Sequence, residues 1–195
     1  MEVAPFEPLG HENAAMDLIA IDSILAAEKK LRSASNPLVV VEIGSWVGQS
    51  ALRWAKPGVL VYCVDHWMGN SDDNLGTIAK ELGGDEVYRT FVRNTGPKLM
   101  HSIIPVVGDS EWVSSWWTVK ADIVYIDAMH DYESVKADIA HWAPHVATGG
   151  LLCGHDFSWK FPGVERAVKE SGEFGVISTI WMRRVGEAKL HASET

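Results

Sequence analysis

The chain begins with a helical pattern and then alternates short apolar runs with amphipathic stretches. A first helix is predicted over residues 16–31, and the sequence SASNP ends it. One face of this helix is marked by Leu18, Ile21, Leu25 and Glu28. The predicted strands cover residues 38–43, 59–64, 102–107, 122–126 and 149–154. Apolar strands separated by helices predict an α/β fold, in which helices cover both faces of a parallel sheet.

Helices between and after these strands are predicted over residues 49–55, 86–93, 132–142 and 164–170. The inward face of the second is formed by Tyr88, Phe91 and Val92. Asp131 is the predicted cap of the third, whose inward face carries Tyr132, Val135, Ile139 and Trp142. Residues 173–185 must supply the last two strands in a short segment.

Acidic residues follow four of the five strands. They are Asp65, Asp109 after Gly108, Asp127, and Asp156 after His155. The carboxyl ends of parallel strands lie at one edge of a sheet, and ligands of such sheets bind there. The sequence therefore predicts a ligand site that is rich in carboxylates.

The first strand runs into the loop EIGSWVGQS, in which Glu42 precedes Gly44 and Trp46 separates Gly44 from Gly48. A dinucleotide loop needs the pattern G-x-G-x-x-G because the backbone must approach a pyrophosphate closely. Here Trp46 would obstruct that approach and Glu42 would repel phosphate. A cationic ligand without phosphates, such as S-adenosylmethionine (SAM), fits better, since an acid attracts its charge and backbone amides can hold its carboxylate. The predicted donor-binding residues of this loop are Glu42, Gly44, Ser45, Trp46, Gly48 and Ser50.

Further donor contacts are predicted at the next strand ends. Asp65 can accept hydrogen bonds from both ribose hydroxyls. Beyond the third strand, Asp109 can accept from the adenine amine and Ser110 can offer its backbone, although GDS is also an ordinary turn. The remaining adenine-side candidates are His66, Gly108 and Trp112. Trp67 either flanks the adenine or packs beneath the loop.

Charge and composition narrow the partners. The formal net charge of −9 argues against nucleic acid or an anionic membrane surface as the main partner. The first residues lack the features of a signal peptide, and no apolar run reaches the roughly 20 residues of a membrane helix. The two cysteines, Cys63 and Cys153, lie in apolar strands and are expected to be reduced. We therefore expect a cytoplasmic protein.

Several blocks of the sequence resemble class I SAM-dependent methyltransferases, and more narrowly the small-molecule O-methyltransferases of the macrolide-sugar and cephalosporin type. The blocks are VVVEIGSWVGQS, VYCVDHW, FVRNTGP with IIPVVGDS, ADIVYIDAMHDYESVKADIAHWAPHVATGGLLCGHDF, and FPGVERAV. The most specific is the fourth, with Asp-x-x-His after the fourth strand and Gly-His-Asp after the fifth. The resemblance covers residues 38–185 and implies a Rossmann-like, doubly wound sheet of seven mostly parallel strands, the last one antiparallel. It also implies that SAM lies over strands one to three.

On the acceptor side, Asp127 and Asp156 end strands that should be neighbours. Two carboxylates that converge without a basic partner nearby in sequence favour a divalent cation such as Mg²⁺, which would also acidify an acceptor hydroxyl. His130 is placed to take up the proton. Enzymes that this chain resembles bind metal at positions matching Asp127 and Asp156, and use a matching histidine as base. His155 departs from that pattern, since some relatives have a second acid there; it is either a weaker third ligand or is replaced by water. Asp127 can also contact the amino-acid end of SAM without a metal.

The expected organisation is one domain over residues 1–195, with an N-terminal helical segment (1–37), a lid or a decorated crossover (66–101) and a frayed tail (186–195). The expected activity is methyl transfer from SAM to a hydroxyl of a small-molecule acceptor. If the acceptor is acidic, Lys160 can orient it. A homo-oligomer is compatible with the sequence. Three alternatives stay open: an NAD(P)-dependent oxidoreductase, a non-catalytic SAM-binding protein and a metal hydrolase.

Overall fold

A computed structural model describes residues 14–31, 36–69, 75–82 and 85–186. Parts of three predicted segments lie outside these described residues: the N-terminal segment, the lid segment 66–101 and the tail. The strands are β1 (Leu38–Ile43), β2 (Val59–Asp65), β3 (Ile103–Val107), β4 (Ala121–Ile126), β5 (Val146–Gly154), β6 (Gly175–Ile177) and β7 (Ile180–Arg184). The helices are α1 (Ala14–Leu31), α2 (Gln49–Trp54), α3 (Leu75–Leu82), α4 (Glu86–Thr95), α5 (Ser110–Trp116), α6 (Tyr132–Trp142) and α7 (Pro162–Glu170), and a 3₁₀ turn spans Ala143–His145.

The seven strands form one sheet in the order β3-β2-β1-β4-β5-β7-β6. Strands β1 to β5 are parallel, and β7 pairs antiparallel with both β5 and β6. The predicted Rossmann-like, mostly parallel sheet is confirmed. The strand order reverses at β1, which pairs with β2 on one side and β4 on the other. Ligands of open α/β sheets bind at this switch point.

Two apolar layers enclose the sheet. Neighbouring residues of a strand point to opposite faces, so Val40 and Val41 lie in different buried clusters. The cluster around Val40 includes side chains of α1, α2 and α4, whereas the cluster around Val41 includes side chains of α5, α6 and α7. Both faces are covered, as the uninterrupted apolar strands predict.

The element boundaries depart from the sequence prediction by a few residues. Helix α7 begins at Pro162 rather than at residue 164, because proline suits the first turn of a helix. Strand β5 begins at Val146, three residues earlier than expected. On α4 the buried side chains include Val87 and Phe91, while the predicted Tyr88 and Val92 are half-buried.

Helix α1 is attached to the sheet by two buried acids on the same face. Glu28 pairs with the guanidinium of Arg184 on β7, with N···O distances of 2.9 and 2.5 Å. Asp17, three turns earlier, accepts hydrogen bonds from Thr179 in the turn between β6 and β7. No helix within the described ranges is long and apolar enough to cross a bilayer.

Candidate active site

The glycine loop after β1 lies at the switch point and contacts the end of β4. Gly44 has a φ of 83°, and a Cβ on it would lie 2.0 Å from the carbonyl oxygen of Asp127. Only glycine tolerates this conformation and this approach. The backbone N–H of Asp127 donates to the carbonyl of Ile43, and that of Gly44 donates to the carbonyl of Val64. The loop is thereby fixed between β2 and β4.

Glu42 is a fully buried acid directly beneath this loop. The hydroxyl of Ser45 donates to its Oε2 at 2.5 Å, whereas Oε1 has no hydrogen-bond partner among the described residues. Burial raises the pKa of Glu42 to about 7, against the opposing effect of the Ser45 and Ser50 hydroxyls. A buried carboxylate oxygen without a donor is costly, so the loop offers an acceptor for a cationic or N–H-bearing group.

Asp65 lies at the end of β2, facing the same loop. Its Oδ2 accepts hydrogen bonds from the backbone N–H groups of Ser45 (2.8 Å) and Trp46 (2.9 Å), and its Oδ1 accepts from that of Trp67 (2.6 Å). Asp65, the predicted ribose contact, thus accepts hydrogen bonds from the same backbone amides that are predicted to hold the SAM carboxylate. His66 beside it is partly exposed, and its Nδ1 accepts from the backbone N–H of Met68.

Trp67 packs in the core, which decides between its two predicted roles. It is 2% exposed, its ring contacts Tyr88 and Phe91 at centroid distances of 4.8 and 4.9 Å, and its indole N–H donates to the carbonyl of Trp46. The side chain supports the glycine loop from below. Gly48, at the end of the loop, has a φ of 88° and fits between the side chains of Phe91 and Thr95 of α4.

The predicted adenine-side residues lie at the start of α5. Asp109 caps this helix, since its carboxylate accepts from the backbone N–H groups of Glu111 and Trp112. Gly108 sits tightly against the Trp112 ring, which is 59% exposed. These residues are together at one edge of the sheet, next to the ends of β2 and β3.

The hydroxyl of Ser110 belongs to a buried network that the sequence did not reveal. It donates to Asp138 of α6 at 2.5 Å and accepts from the indole N–H of Trp142 at 2.8 Å. Burial raises the pKa of Asp138 to about 6. Asp138 lies on the inward face of α6 with Val135 and Trp142, so an acid within that apolar stripe was the available signal.

Four predicted acceptor-side residues meet at the ends of β4 and β5. Ligand atoms of Asp127, His155 and Asp156 all lie within 4.8 Å of one another. Oδ2 of Asp156 is 3.2 Å from Nδ1 of His155 and 3.0 Å from Nε2 of His130. Asp156 adopts a left-handed conformation with a φ of 60°, which is uncommon outside glycine. Two carboxylates and one imidazole nitrogen form a donor set that fits a divalent cation.

The electrostatics of this cluster depend on its mixed charges. Burial alone would raise the pKa of Asp156, but hydrogen bonds from His130 and His155 hold it well below its usual range. Burial alone would lower the pKa of His155, but Asp127, Asp156 and Asp17 together raise it well above its usual range. A cation would need His155 in its neutral form, because only a neutral ring nitrogen can ligate.

Asp17 of α1 is a site residue that the sequence reasoning missed. Its Oδ2 lies 3.1 Å from Nε2 of His155, and it is 4% exposed. Burial raises the pKa of Asp17, but its contacts with His155, Ser178 and Thr179 lower it to about 2. The predicted face of α1 placed Leu18 inward, yet Leu18 is half-buried and Asp17 is buried. An acid at helical spacing from Ile21 was the overlooked signal.

A cavity of about 260 Å³ opens beside the cluster. Its walls include the acid and histidine side chains Asp17, His155 and Asp156 and the loop residues Trp159, Lys160 and Phe161. The Phe161 ring stacks on that of His130, with centroids 4.4 Å apart. The loop between β5 and α7 thus connects the cavity to the acid–histidine cluster, which is the group formed by Asp127, His130, His155 and Asp156.

Comparison with known families identifies the fold. A family model described as a methyltransferase domain matches residues 41–157, more than half of the chain. The chain belongs to this methyltransferase family. The match runs from β1 through the glycine loop to the loop after β5, so it includes Glu42 and the Asp127, His130 and Asp156 cluster.

Solved structures similar to this methyltransferase domain share its fold. NovP, described as an O-methyltransferase, has a TM-score of 0.67 at 17% identity, covering 88% of this chain and 80% of NovP. The calicheamicin methyltransferase CalS11 has a TM-score of 0.62 at 17% identity, covering 91% of this chain and 81% of CalS11. A putative caffeoyl-CoA O-methyltransferase from Staphylococcus aureus has a TM-score of 0.59 at 13% identity, covering 90% of this chain and 83% of that one. The resemblance drawn from the sequence is confirmed for family and fold.

A curated relative of this methyltransferase domain is the uncharacterized protein y4gI of Sinorhizobium fredii (strain NBRC 101917 / NGR234). It is 22% identical over an alignment of 180 positions, and the alignment covers 83% of this chain and 19% of that protein. The chain therefore spans about a fifth of the length of this relative.

Proposed function

We propose that this protein transfers a methyl group from SAM to a hydroxyl of a small-molecule acceptor. The observation that carries the proposal is the fully buried Glu42 beneath the glycine loop, with Oε1 unpartnered among the described residues. A phosphate-bearing cofactor would meet repulsion there, whereas the positive charge of SAM would be attracted. Membership of a methyltransferase family supports this donor over a nicotinamide.

The remaining donor contacts are proposed at the strand ends near the switch point. Asp65 would take the ribose hydroxyls, for which its carboxylate must leave the amides of Ser45 and Trp46. Those two amides would then be open to the carboxylate of the donor. His66, Gly108, Asp109, Ser110 and Trp112 would border the adenine, with Asp109 continuing to cap α5.

We place the acceptor in the cavity beside the acid–histidine cluster. Its volume of about 260 Å³ is close to the lower end of the ~300–1,000 Å³ typical of small-molecule sites. Trp159 and Phe161 offer apolar contacts, and Lys160 lines the same wall. NovP is described as an O-methyltransferase and CalS11 as a TDP-rhamnose 3'-O-methyltransferase, which supports oxygen as the acceptor atom.

His130 is the proposed base. Its Nε2 lies 3.0 Å from Oδ2 of Asp156, and its ring stacks on Phe161. Asp156 would stabilise the imidazolium that forms when His130 takes up the hydroxyl proton. Asp127, His155 and Asp156 would hold a divalent cation, which lowers the pKa of a nearby hydroxyl when bound. The reaction further requires that the site align acceptor and methyl group and exclude water.

Two measurements test this proposal. Calorimetric titration with S-adenosylhomocysteine and, separately, with NAD should show binding of the first only. Methyl transfer from isotopically labelled SAM to a panel of phenols and sugars should then depend on His130 and Asp127. His130→Ala and Asp127→Ala should each abolish most turnover, while His130→Ala keeps its affinity for S-adenosylhomocysteine. His101→Ala, at an exposed position after α4, is the matched control.

Binding without transfer to any acceptor would instead support a non-catalytic SAM-binding protein. NAD binding in place of S-adenosylhomocysteine would overturn the proposal. The predictions of a cytoplasmic location, of no nucleic-acid or membrane partner and of a homo-oligomer remain predictions, as does the single-domain organisation.

A further inference from the structure

Asp17 contacts the acid–histidine cluster from outside, on the far side of the His155 ring. One ring nitrogen, Nδ1, faces Asp127 and Asp156 at 3.5 and 3.2 Å. The other, Nε2, faces Oδ2 of Asp17 at 3.1 Å. Asp17 belongs to α1 and is distant in sequence from the rest of the cluster, so the fold alone brings it to this nitrogen.

The orientation of Asp17 is itself fixed. Its Oδ1 accepts hydrogen bonds from the backbone N–H and the hydroxyl of Thr179, at 3.2 and 2.9 Å. Oδ2 thereby faces Nε2 of His155 at ion-pair distance, with no hydrogen bond of good geometry to any described residue, and the carboxylate is almost fully buried. Without a cation, Nδ1 of His155 donates to Asp156. In the neutral imidazole that a cation requires, a carboxylate at Nε2 keeps the remaining proton on that nitrogen, and the lone pair of Nδ1 then faces the other acids. Histidines that ligate metals are commonly held by a carboxylate in this way.

We infer that Asp17 is a positioning residue that holds His155 as the nitrogen ligand of the proposed cation site. Because it has a nitrogen ligand, this site prefers a transition ion such as Co²⁺, Fe²⁺ or Zn²⁺ to Mg²⁺. This inference rests on the cation site of the proposed function. An imidazole ligand suits transition ions, whereas Mg²⁺ favours oxygen ligands. It revises the expectation of Mg²⁺ drawn from the sequence.

The replacement Asp17→Asn keeps the size of the side chain and changes only its hydrogen-bonding groups and charge, so it tests the positioning role. An asparagine amide has one acceptor oxygen and one donor nitrogen, so it cannot accept from both Thr179 and His155. If its nitrogen faces His155, the ring proton moves to Nδ1 and the ligating lone pair is lost. Asp22→Asn is the matched control, because Asp22 lies on the same helix but is partly exposed and pairs with Arg53.

The experiment uses the whole chain and does not require turnover. Co²⁺ is titrated into the wild-type protein and into the variants Asp17→Asn, His155→Asp and Asp22→Asn, and binding is measured by the visible absorption of Co²⁺. Mg²⁺ is added as a competitor. The wild type should bind Co²⁺ at least about tenfold more tightly than Mg²⁺. Asp17→Asn should weaken Co²⁺ binding by about 10–100-fold, and Asp22→Asn should leave it unchanged. His155→Asp should reduce the preference for Co²⁺ over Mg²⁺, since it substitutes an oxygen ligand.

Circular dichroism of each variant checks that it is folded. Should Asp17→Asn fail to fold, Thr179→Val removes only the hydroxyl that fixes Asp17 and should weaken Co²⁺ binding in the same direction. Equal affinity for Mg²⁺ and Co²⁺, no Co²⁺ binding at millimolar concentration, or unchanged Co²⁺ affinity in folded Asp17→Asn would each overturn the inference. S-adenosylhomocysteine binding on the same samples separates the two claims. Donor binding without Co²⁺ refutes only the cation inference, and Co²⁺ binding without donor binding refutes the proposed function.

Discussion

The replacement Glu42→Gln should stabilise the empty protein at high pH and at the same time impair donor binding. Glu42 is fully buried, and burial raises its pKa from the ordinary value of 4.5 to about 7. This difference corresponds to about 3 kcal/mol of destabilisation once the carboxyl is ionised. Below pH 4.5 the carboxyl is protonated in both folded and unfolded chains and the cost vanishes. Between pH 4.5 and 7 the unfolded chain loses its proton first, so stability falls as pH rises.

Glutamine removes this pH dependence because it carries no charge. Its amide nitrogen would be left without a hydrogen-bond partner, which costs about 1 kcal/mol and offsets part of the gain in stability. We therefore expect the variant to be more stable than the wild type by about 1–3 kcal/mol at pH 8, and no more stable at pH 4.5. Donor affinity should fall about 10–100-fold, as expected for the loss of a hydrogen bond to a charged group.

Urea denaturation of both proteins from pH 4.5 to 8 measures the difference, in which the other titrating groups cancel. Glu28→Gln is the contrasting control, since Glu28 is also buried but pairs with Arg184. Its loss should destabilise the protein across this range. If the difference in the free energy of unfolding between wild type and Glu42→Gln did not change with pH, the cost assigned to ionising Glu42 would be refuted. Unchanged affinity for S-adenosylhomocysteine would refute the role in binding.

Three further predictions concern single residues. Gly44→Ala should lower the free energy of unfolding by about 2 kcal/mol or more in chemical denaturation, because its Cβ would meet the carbonyl of Asp127; a milder effect would mean that the loop can move away. Asp109→Ala should cost about 1 kcal/mol through loss of the α5 cap, and a larger loss of donor affinity than of stability would reveal the proposed adenine contact. His130→Ala should lower kcat about 10²–10⁴-fold at neutral pH in the labelled-methyl assay, with partial recovery at high pH, where the acceptor hydroxyl ionises without a base; a kcat close to that of the wild type at neutral pH would argue against a base at this position.

The sequence predicted the parts of the candidate site that lie at strand ends. Apolar runs locate β1, β2, β4 and β5, and parallel pairing brings their carboxyl ends to one edge, so Glu42, Asp65, Asp127 and Asp156 converge without any further information. Asp17 and Asp138 were missed because each lies on a buried helix face. Periodicity shows that such a face turns inward, but the partner depends on helix docking, and a single sequence carries no record of it.

Backbone geometry also limited the sequence-based reasoning. The hydrogen bonds of Asp65 to the glycine loop and the burial of Trp67 follow from the bend of this loop, where Trp46 has a φ of 43°. A left-handed tryptophan is rare, so local propensities favour other conformations there. The ring of Trp67 could be assigned to packing only once Tyr88 and Phe91 of α4 were placed beside it.

The attachment of α1 has a practical consequence for anyone who shortens or grafts this domain. A version that starts at β1 would keep the whole sheet and every residue matched by the family model, and by sequence it would pass as intact. It would nevertheless lose the acid opposite His155, one wall of the adjoining cavity and the counter-charge of Arg184. Chimeras that exchange the first helix between relatives would therefore also exchange part of the wall of the candidate site.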